Sequence, residues 1–80
     1  MIERTKIMEN YIYQPPKETF WTLDMKKGME VFNGRLKKRG VLVEDSPKDK
    51  ELVYVRWFDE PEQIHIMSKW SVGIVDKRER

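Results

Sequence analysis

The chain has 80 residues, no cysteine, 16 lysines and arginines against 14 acidic residues, and a formal net charge of +2. A chain of this length forms one domain with a modest core. Without cysteine it can hold neither a disulfide nor a thiolate-bound metal ion. So small a net charge does not suit a dedicated nucleic-acid binder.

The composition also carries an expectation about where the protein works. No apolar run approaches the length of a membrane span, and the early acidic residues Glu3 and Glu9 leave no apolar signal-peptide core. We therefore expect a cytoplasmic protein with no membrane contact. Alanine is absent, which lowers the expectation of long helices. The abundance of Lys, Glu, Ile and Met is typical of an AT-rich genome, such as that of a phage or another mobile element.

The first 27 residues are predicted to form an N-terminal extension. Apolar residues between positions 7 and 12 recur at roughly helical spacing, and Pro15-Pro16 would end any helix there. A frayed arm, a short helix packed across the domain and a segment ordered by a partner all fit residues 1–14. Residues 17–27 alternate, with Trp21, Leu23 and Met25 on one side. They indicate a short strand or extended segment that either covers one end of the core or forms an exposed apolar surface that a partner could bind.

From Gly28 onward the chain reads as short strands separated by turns. Strands are predicted at 29–32, 41–43, 51–60, 63–67 and 70–75. Asn33-Gly34 predicts a tight turn, and residues 35–39 (RLKKR) a basic loop. Residues 45–50 form a polar hairpin loop, and 59–62 (DEPE) an acidic turn. The register of 41–43 stays open, because either Leu42 or the two flanking valines could face inward.

The clearest strand is 51–60, ELVYVRWFDE, whose two faces differ in polarity. Val53, Val55 and Trp57 make one face wholly apolar, whereas the opposite face carries a charge among aromatic residues. With turns roughly every eight to twelve residues, the pattern predicts a small antiparallel barrel or a curled meander. The predicted core consists of Val31, Val53, Val55, Trp57, Ile64, Ile66, Val72 and Ile74.

The segments KGMEVF, KKRGVLVEDS, ELVYVRWFDE and SKWSVGIV together resemble the SH3-like barrels of the KOW, Tudor and mindbomb-type groups. The resemblance covers about two thirds of the chain and is architectural. It implies an all-β fold, a small SH3-like antiparallel barrel over residues 28–80 with a charged C-terminal tail, preceded by the extension 1–27. It also implies a non-enzymatic adaptor that binds nucleic acid, ribosomes, RNA polymerase or peptides. A Tudor-like aromatic cage would have to come from Tyr54, Trp57, Phe58 and Trp70.

No residue pattern in the chain indicates catalysis. The single histidine, His65, alternates with Ile64 and Ile66 and is predicted to face the surface. The serines have no base and orienting partner in the sequence, and the four glycines are scattered and form no phosphate-binding loop. We expect a protein that is not an enzyme and uses no cofactor or metal.

Two binding functions remain. In the first, the protein is a small regulator or adaptor that docks a partner protein through Phe20, Trp21, Tyr54, Arg56 and Phe58. The basic loop and the acidic turn would then form opposite ends that steer docking. In the second, it is a KOW-like nucleic-acid-binding barrel that uses Arg35, Lys37, Lys38 and Arg39. Phosphate binding should weaken steeply with salt, whereas apolar docking should not.

Overall fold

The computed structural model describes residues 12–77, which form one antiparallel sheet of six strands. The prediction of an all-β fold is confirmed. Across the sheet the order is β1-β6-β2-β3-β4-β5, and the sheet is open, with β1 and β5 at its edges. The elements are β1 (Thr19–Phe20), β2 (Glu30–Asn33), β3 (Lys38–Leu42), β4 (Leu52–Trp57), β5 (His65–Ser68), a 3₁₀ turn (Lys69–Ser71) and β6 (Gly73–Val75).

The core lies on one side of the sheet, and the faces predicted for 51–60 are confirmed. Val53, Val55 and Trp57 are all buried. The open register in β3 is settled by Leu42, which is buried, while its two neighbouring valines are half-buried. Met25 is also fully buried, so the segment after β1 covers the core. The core cluster consists of Met25, Val31, Leu42, Val53, Val55, Trp57, Val72 and Ile74.

The prediction that Ile64 and Ile66 belong to the core is wrong. They are 52% and 59% exposed, respectively. The pairing of β4 with β5 sets Val53 opposite Met67 and Val55 opposite His65, so those two residues take the core side. The prediction that His65 faces the surface is therefore also wrong, because its side chain takes the core side of the sheet. In a strand reading Ile-His-Ile-Met both faces carry apolar side chains, and a shift of one residue exchanges them. In the observed register of β4 with β5, Met67 lies opposite Val53 and packs against the core.

The turn between β2 and β3 is longer than the Asn33-Gly34 pair predicts. Asn33 pairs with Lys38, which leaves a four-residue loop, and Lys37 adopts the left-handed conformation there with φ of 59°. The side chain of Asn33 caps the loop, because its Oδ1 accepts a hydrogen bond from the backbone N–H of Leu36 at 2.8 Å. Its Nδ2 donates to the carbonyl of Ser71 at 2.9 Å. Lys38 and Arg39 consequently belong to β3 and not to the loop.

The two ends of the sheet are tied together by residues 21–25. Met25 and Ser46 exchange backbone hydrogen bonds of 3.0 and 2.7 Å. The fully buried Lys69 donates from Nζ to three carbonyls, those of Leu23 at 2.6 Å, Pro47 at 2.8 Å and Ser46 at 3.2 Å. The 3₁₀ turn, the loop before β4 and the segment after β1 therefore meet at one ammonium group.

The helix or arm proposed for the start of the chain lies outside the described residues up to position 11, as does the end of the charged tail. Within residues 12–77, no helix has the length and apolar character needed to cross a membrane.

Candidate protein-docking surface

Lys38, from the predicted basic loop, is held by the acidic turn. Its Nζ lies 3.0 and 3.2 Å from the two carboxylate oxygens of Asp59 and 3.4 Å from Glu60. Burial lowers the pKa of Lys38, but the hydrogen bond and charge of Asp59, with Glu60, outweigh it and leave the pKa raised. The expectation of separate basic and acidic ends is wrong. Because β3 pairs with β4 in the antiparallel sense, the first residue of β3 and the residues that follow β4 come together.

Arg39 is held by a second carboxylate. Its Nε and Nη2 donate to one oxygen of Glu30, at 2.8 and 2.7 Å, and its Nη1 donates to the carbonyl of Gln14 at 2.8 Å. Lys77 contacts the other oxygen of Glu30 at 2.8 Å. Burial raises the pKa of Glu30, but the hydrogen bonds from Lys77 and Arg39 and their charges outweigh it, so the pKa lies below its ordinary value.

The four cations predicted to bind nucleic acid are therefore divided. Lys38 and Arg39 lie in ion pairs with carboxylates on β2 and after β4. Arg35 and Lys37 lie in the exposed turn between β2 and β3. The structure does not bring the four into one continuous basic patch of unpaired charge, and their role in nucleic-acid binding stays a prediction.

The outward side of β4 carries a line of exposed or half-buried side chains, which we call the outer row: Leu52, Tyr54, Arg56 and Phe58. They alternate along the chain with the buried Val53, Val55 and Trp57, as the period of two in a strand requires. Leu52 is 49% exposed and Phe58 is 45% exposed. The structure thus places the predicted residues Tyr54, Arg56 and Phe58 on one face.

The outer row continues sideways onto both neighbouring strands. On one side Arg56 pairs with Val41 of β3. On the other, Tyr54 pairs with the exposed Ile66 of β5. Side chains directly opposite in a sheet lie within contact distance, so these residues extend the apolar surface across three strands. Sequence reasoning missed the contribution of β5 because it assigned both of its isoleucines to the core.

The other two predicted docking residues, Phe20 and Trp21, lie elsewhere. Phe20 belongs to β1, which β6, β2 and β3 separate from β4, whereas Trp21 follows β1 and lies against the 3₁₀ turn after β5. The ring of Trp21 stacks on Trp70, with centroids 4.8 Å apart and planes 22° apart, and its Nε1 donates to the carbonyl of Lys69 at 3.2 Å. Trp21 therefore has a structural role in holding the segment after β1, although both rings of the stack stay partly exposed.

The imidazole of His65 lies close to one carboxylate. Its Nε2 is 2.9 Å from a carboxylate oxygen of Glu60. In residues 12–77 no group of three or more His, Cys, Asp or Glu side chains is arranged to hold a metal ion.

Comparison with protein-family models, curated proteins and solved structures gave no match to this chain.

Proposed function

We propose that the chain is a non-catalytic interaction module that docks a partner protein through the outer row of β4. The observation that carries this proposal is the alignment of exposed Leu52 and Phe58 with Tyr54 and Arg56 on one face. Large apolar and aromatic side chains that stay exposed together mark interaction surfaces, and Tyr and Arg are enriched among the residues that dominate binding energy.

The architecture that we propose for the module is a variant of the SH3-like barrel. The last strand, β6, pairs with both β1 and β2, so it returns to the first two strands of the sheet. Lys69 and the Met25–Ser46 bridge link the segment after β1 to the region between β3 and β4 and to the 3₁₀ turn. These side-chain and backbone contacts would take the place of a strand ladder between the two open edges.

The composition of the outer row indicates the chemistry of the partner. Leu52, Tyr54 and Phe58 would bury apolar side chains of the partner, since desolvated aromatic contacts supply most of the energy at such interfaces. Arg56 lies among them and would pair with a carboxylate of the partner, which sets orientation more than affinity. Phe20 and Trp21 are less suited to this role, because Trp21 is engaged with Trp70 and Lys69.

Nucleic-acid binding through Arg35, Lys37, Lys38 and Arg39 is the alternative function. Its support is the exposure of Arg35 and Lys37 on the turn between β2 and β3. Against it stand the ion pairs of Lys38 with Asp59 and of Arg39 with Glu30, which a phosphate would have to displace.

The test compares two charge reversals that are matched in type and differ in position, Arg56→Glu and Arg35→Glu. Peptides selected from a random display library, and a mixed pool of DNA and RNA oligonucleotides, are titrated into each isotope-labelled protein and followed by amide NMR. We expect selected peptides to shift the outer row, and Arg56→Glu to weaken them by about tenfold or more. Arg35→Glu should leave peptide binding unchanged.

The same titrations identify the alternative. Oligonucleotide shifts centred on residues 35–39, lost on raising the salt concentration and abolished by Arg35→Glu, would favour nucleic-acid binding. Peptides that bind Arg56→Glu as well as the unchanged protein would contradict docking on the outer row.

A further inference from the structure

The strand β5 is an open edge of the sheet. Its residues pair with β4 over four positions, from Leu52 opposite Ser68 to Val55 opposite His65. Within the described part of the chain, no strand pairs with its other side. An edge strand presents a row of backbone N–H and C=O groups that can accept another strand.

The sequence of this edge has no charged residue, proline or glycine that would oppose strand addition. Residues 63–68, QIHIMS, contain no Lys, Arg, Asp, Glu, Pro or Gly, in a chain of which 38% is charged. Natural proteins protect such edges with inward-pointing charges, prolines, bulges or very short strands. The opposite edge is protected in that way: β1 has two residues and is preceded by Pro15-Pro16, Lys17 and Glu18.

The side chains of β5 are suited to pairing with an identical strand. Ile66 lies on the outer face opposite Tyr54, and both Ile66 and Ile64, which precedes β5 by one residue, are exposed. The period of two in a strand puts Ile64 on the same face as Ile66. If two β5 strands run antiparallel about a two-fold axis through His65, Ile64 of each lies opposite Ile66 of the other. Four β-branched side chains then form one cluster, flanked on both sides by Tyr54 and Arg56 of the two copies. No like charges meet along this pairing, because the strand has none.

We infer that a second copy of this chain binds at β5, forming a symmetric dimer with a continuous twelve-stranded sheet built from the two six-stranded sheets. The observation that selects a second copy over another occupant is the match with itself of an uncharged edge whose outer face carries Ile64 and Ile66. The inference goes beyond the proposed function, since pairing of the β5 edges leaves the outer row of β4 exposed in each copy. A dimer would present two such rows on one face, which would favour a partner with repeated binding segments.

The size of this interface sets its expected strength. One short strand and its two isoleucines from each copy bury less than the roughly 1,200 Å² of total surface found at the lower bound of stable complexes. We therefore expect a weak dimer, with a dissociation constant between about 10 μM and about 1 mM. Association should strengthen with concentration and be insensitive to salt, because no ion pair contributes.

The first experiment is sedimentation equilibrium of the purified protein across that concentration range, with Ile66→Lys compared with Ile12→Lys. Both variants make the same substitution at an exposed position, and Ile12 lies beside residues of β2 and β3, which β4 separates from β5. We expect Ile66→Lys to raise the dissociation constant at least about tenfold, and Ile12→Lys to change it less than about twofold. Near-ultraviolet circular dichroism confirms that both variants keep the fold.

The second experiment tests the pairing itself and uses the absence of cysteine. The single variants Ile64→Cys and Ile66→Cys are oxidised separately and as an equal mixture. We expect the mixture to give a disulfide that joins position 64 of one copy to position 66 of the other, well above either self-linked product. A monomer at every concentration, equal effects of the two lysine variants, or self-linked products in excess of the mixed one would each overturn the inference.

Discussion

The carboxylate of Glu30 lies between two cations, Arg39 and Lys77. It accepts hydrogen bonds from Arg39 and a contact from Lys77, and through Arg39 it is linked to the carbonyl of Gln14. One carboxylate therefore connects β2, β3, the segment after β6 and the chain before β1. Burial alone would raise its pKa, but the two cations outweigh burial and lower it, so the ionised form is favoured in the folded state.

This arrangement predicts how stability depends on pH. A carboxylate whose pKa is lowered in the folded state stabilises the protein fully when the pH is above the carboxylate's pKa in the unfolded chain, ordinarily 4.5. That contribution is lost as the pH falls through the lower pKa of the folded state. In urea unfolding, Glu30→Gln should therefore reduce the free energy of unfolding most at about pH 7 and progressively less below about pH 4.5. Glu44→Gln, at an exposed position, should change the free energy of unfolding little both at about pH 7 and below about pH 4.5. A Glu30→Gln deficit that is constant with pH would contradict this assignment.

Single residues differ in how much of their role the sequence reveals. Trp57 lies in an alternating apolar run, and its burial is predicted correctly from that period alone. Lys69 carries no such signal, because a lysine in a polar turn is ordinarily exposed. Its burial follows from carbonyls of Leu23, Ser46 and Pro47, which are 46, 23 and 22 positions away in the chain. No local pattern reports contacts of that range.

Among the strands, the contact between β3 and β4 leaves no room for a side chain at Gly40. A Cβ built there would overlap the carbonyl oxygen of Arg56 and lie 2.8 Å from the Cα of Trp57. These are backbone atoms of the neighbouring strand and cannot turn aside as a side chain could. Gly34, in the turn between β2 and β3, has nothing within 4 Å of such a Cβ and does not require positive φ.

The pair Gly40→Ala and Gly34→Ala tests this packing. We expect Gly40→Ala to lower the free energy of unfolding by at least about 2 kcal/mol, because the two strands must separate. Gly34→Ala should be neutral or stabilising by up to about 1 kcal/mol, since it reduces the freedom of the unfolded chain. Chemical denaturation measures both. Equal costs for the two variants would contradict the close approach of β3 and β4.

The strands show where pattern reading succeeds and where it fails. β4 and β6 lie within the predicted segments, and β2 is displaced from its segment by one residue and ends at Asn33. Each of the three has one face clearly more apolar than the other. β5 is predicted correctly along the chain but with its faces reversed, because isoleucine is more hydrophobic than histidine or methionine. The structure turns Met67 inward and leaves Ile66 on the outer face. Pairing with β4, which the sequence does not reveal, outweighs the difference between side chains.

At the scale of the whole molecule, residues 19–25 are integral to the sheet and the core. β1 pairs with β6, Met25 is fully buried, and the carbonyl of Leu23 accepts a hydrogen bond from Lys69. A shortened chain of residues 28–80 lacks all three contributions. Loss of a buried methionine side chain alone costs about 2–5 kcal/mol, which is a large part of the stability of a small domain.

We therefore expect residues 28–80 to show no cooperative thermal unfolding, whereas residues 12–80 should unfold cooperatively. Circular dichroism during heating compares the two shortened chains. A cooperative transition of 28–80 at a temperature close to that of 12–80 would contradict a structural role for the segment after β1.

The candidate docking surface is predictable in part. Alternation along β4 is sufficient to place Tyr54, Arg56 and Phe58 together. It is not sufficient to separate them from Phe20 and Trp21, since aromatic residues of an extension carry no local sign of the strand that they join. Nor can sequence show that Lys38 and Arg39 meet carboxylates, because those contacts depend on which strands are neighbours.

The burial of Lys69 has a consequence for chemical labelling. The chain has ten lysines, and acylating reagents modify amines that they can reach. The amine of Lys69 is enclosed by three carbonyls while the segment after β1, the loop before β4 and the 3₁₀ turn stay together. Its acylation requires those three parts to separate. The rate at which an acylating reagent modifies Lys69 thus reports how often the molecule opens at that end, and no labelling site has to be introduced by mutation.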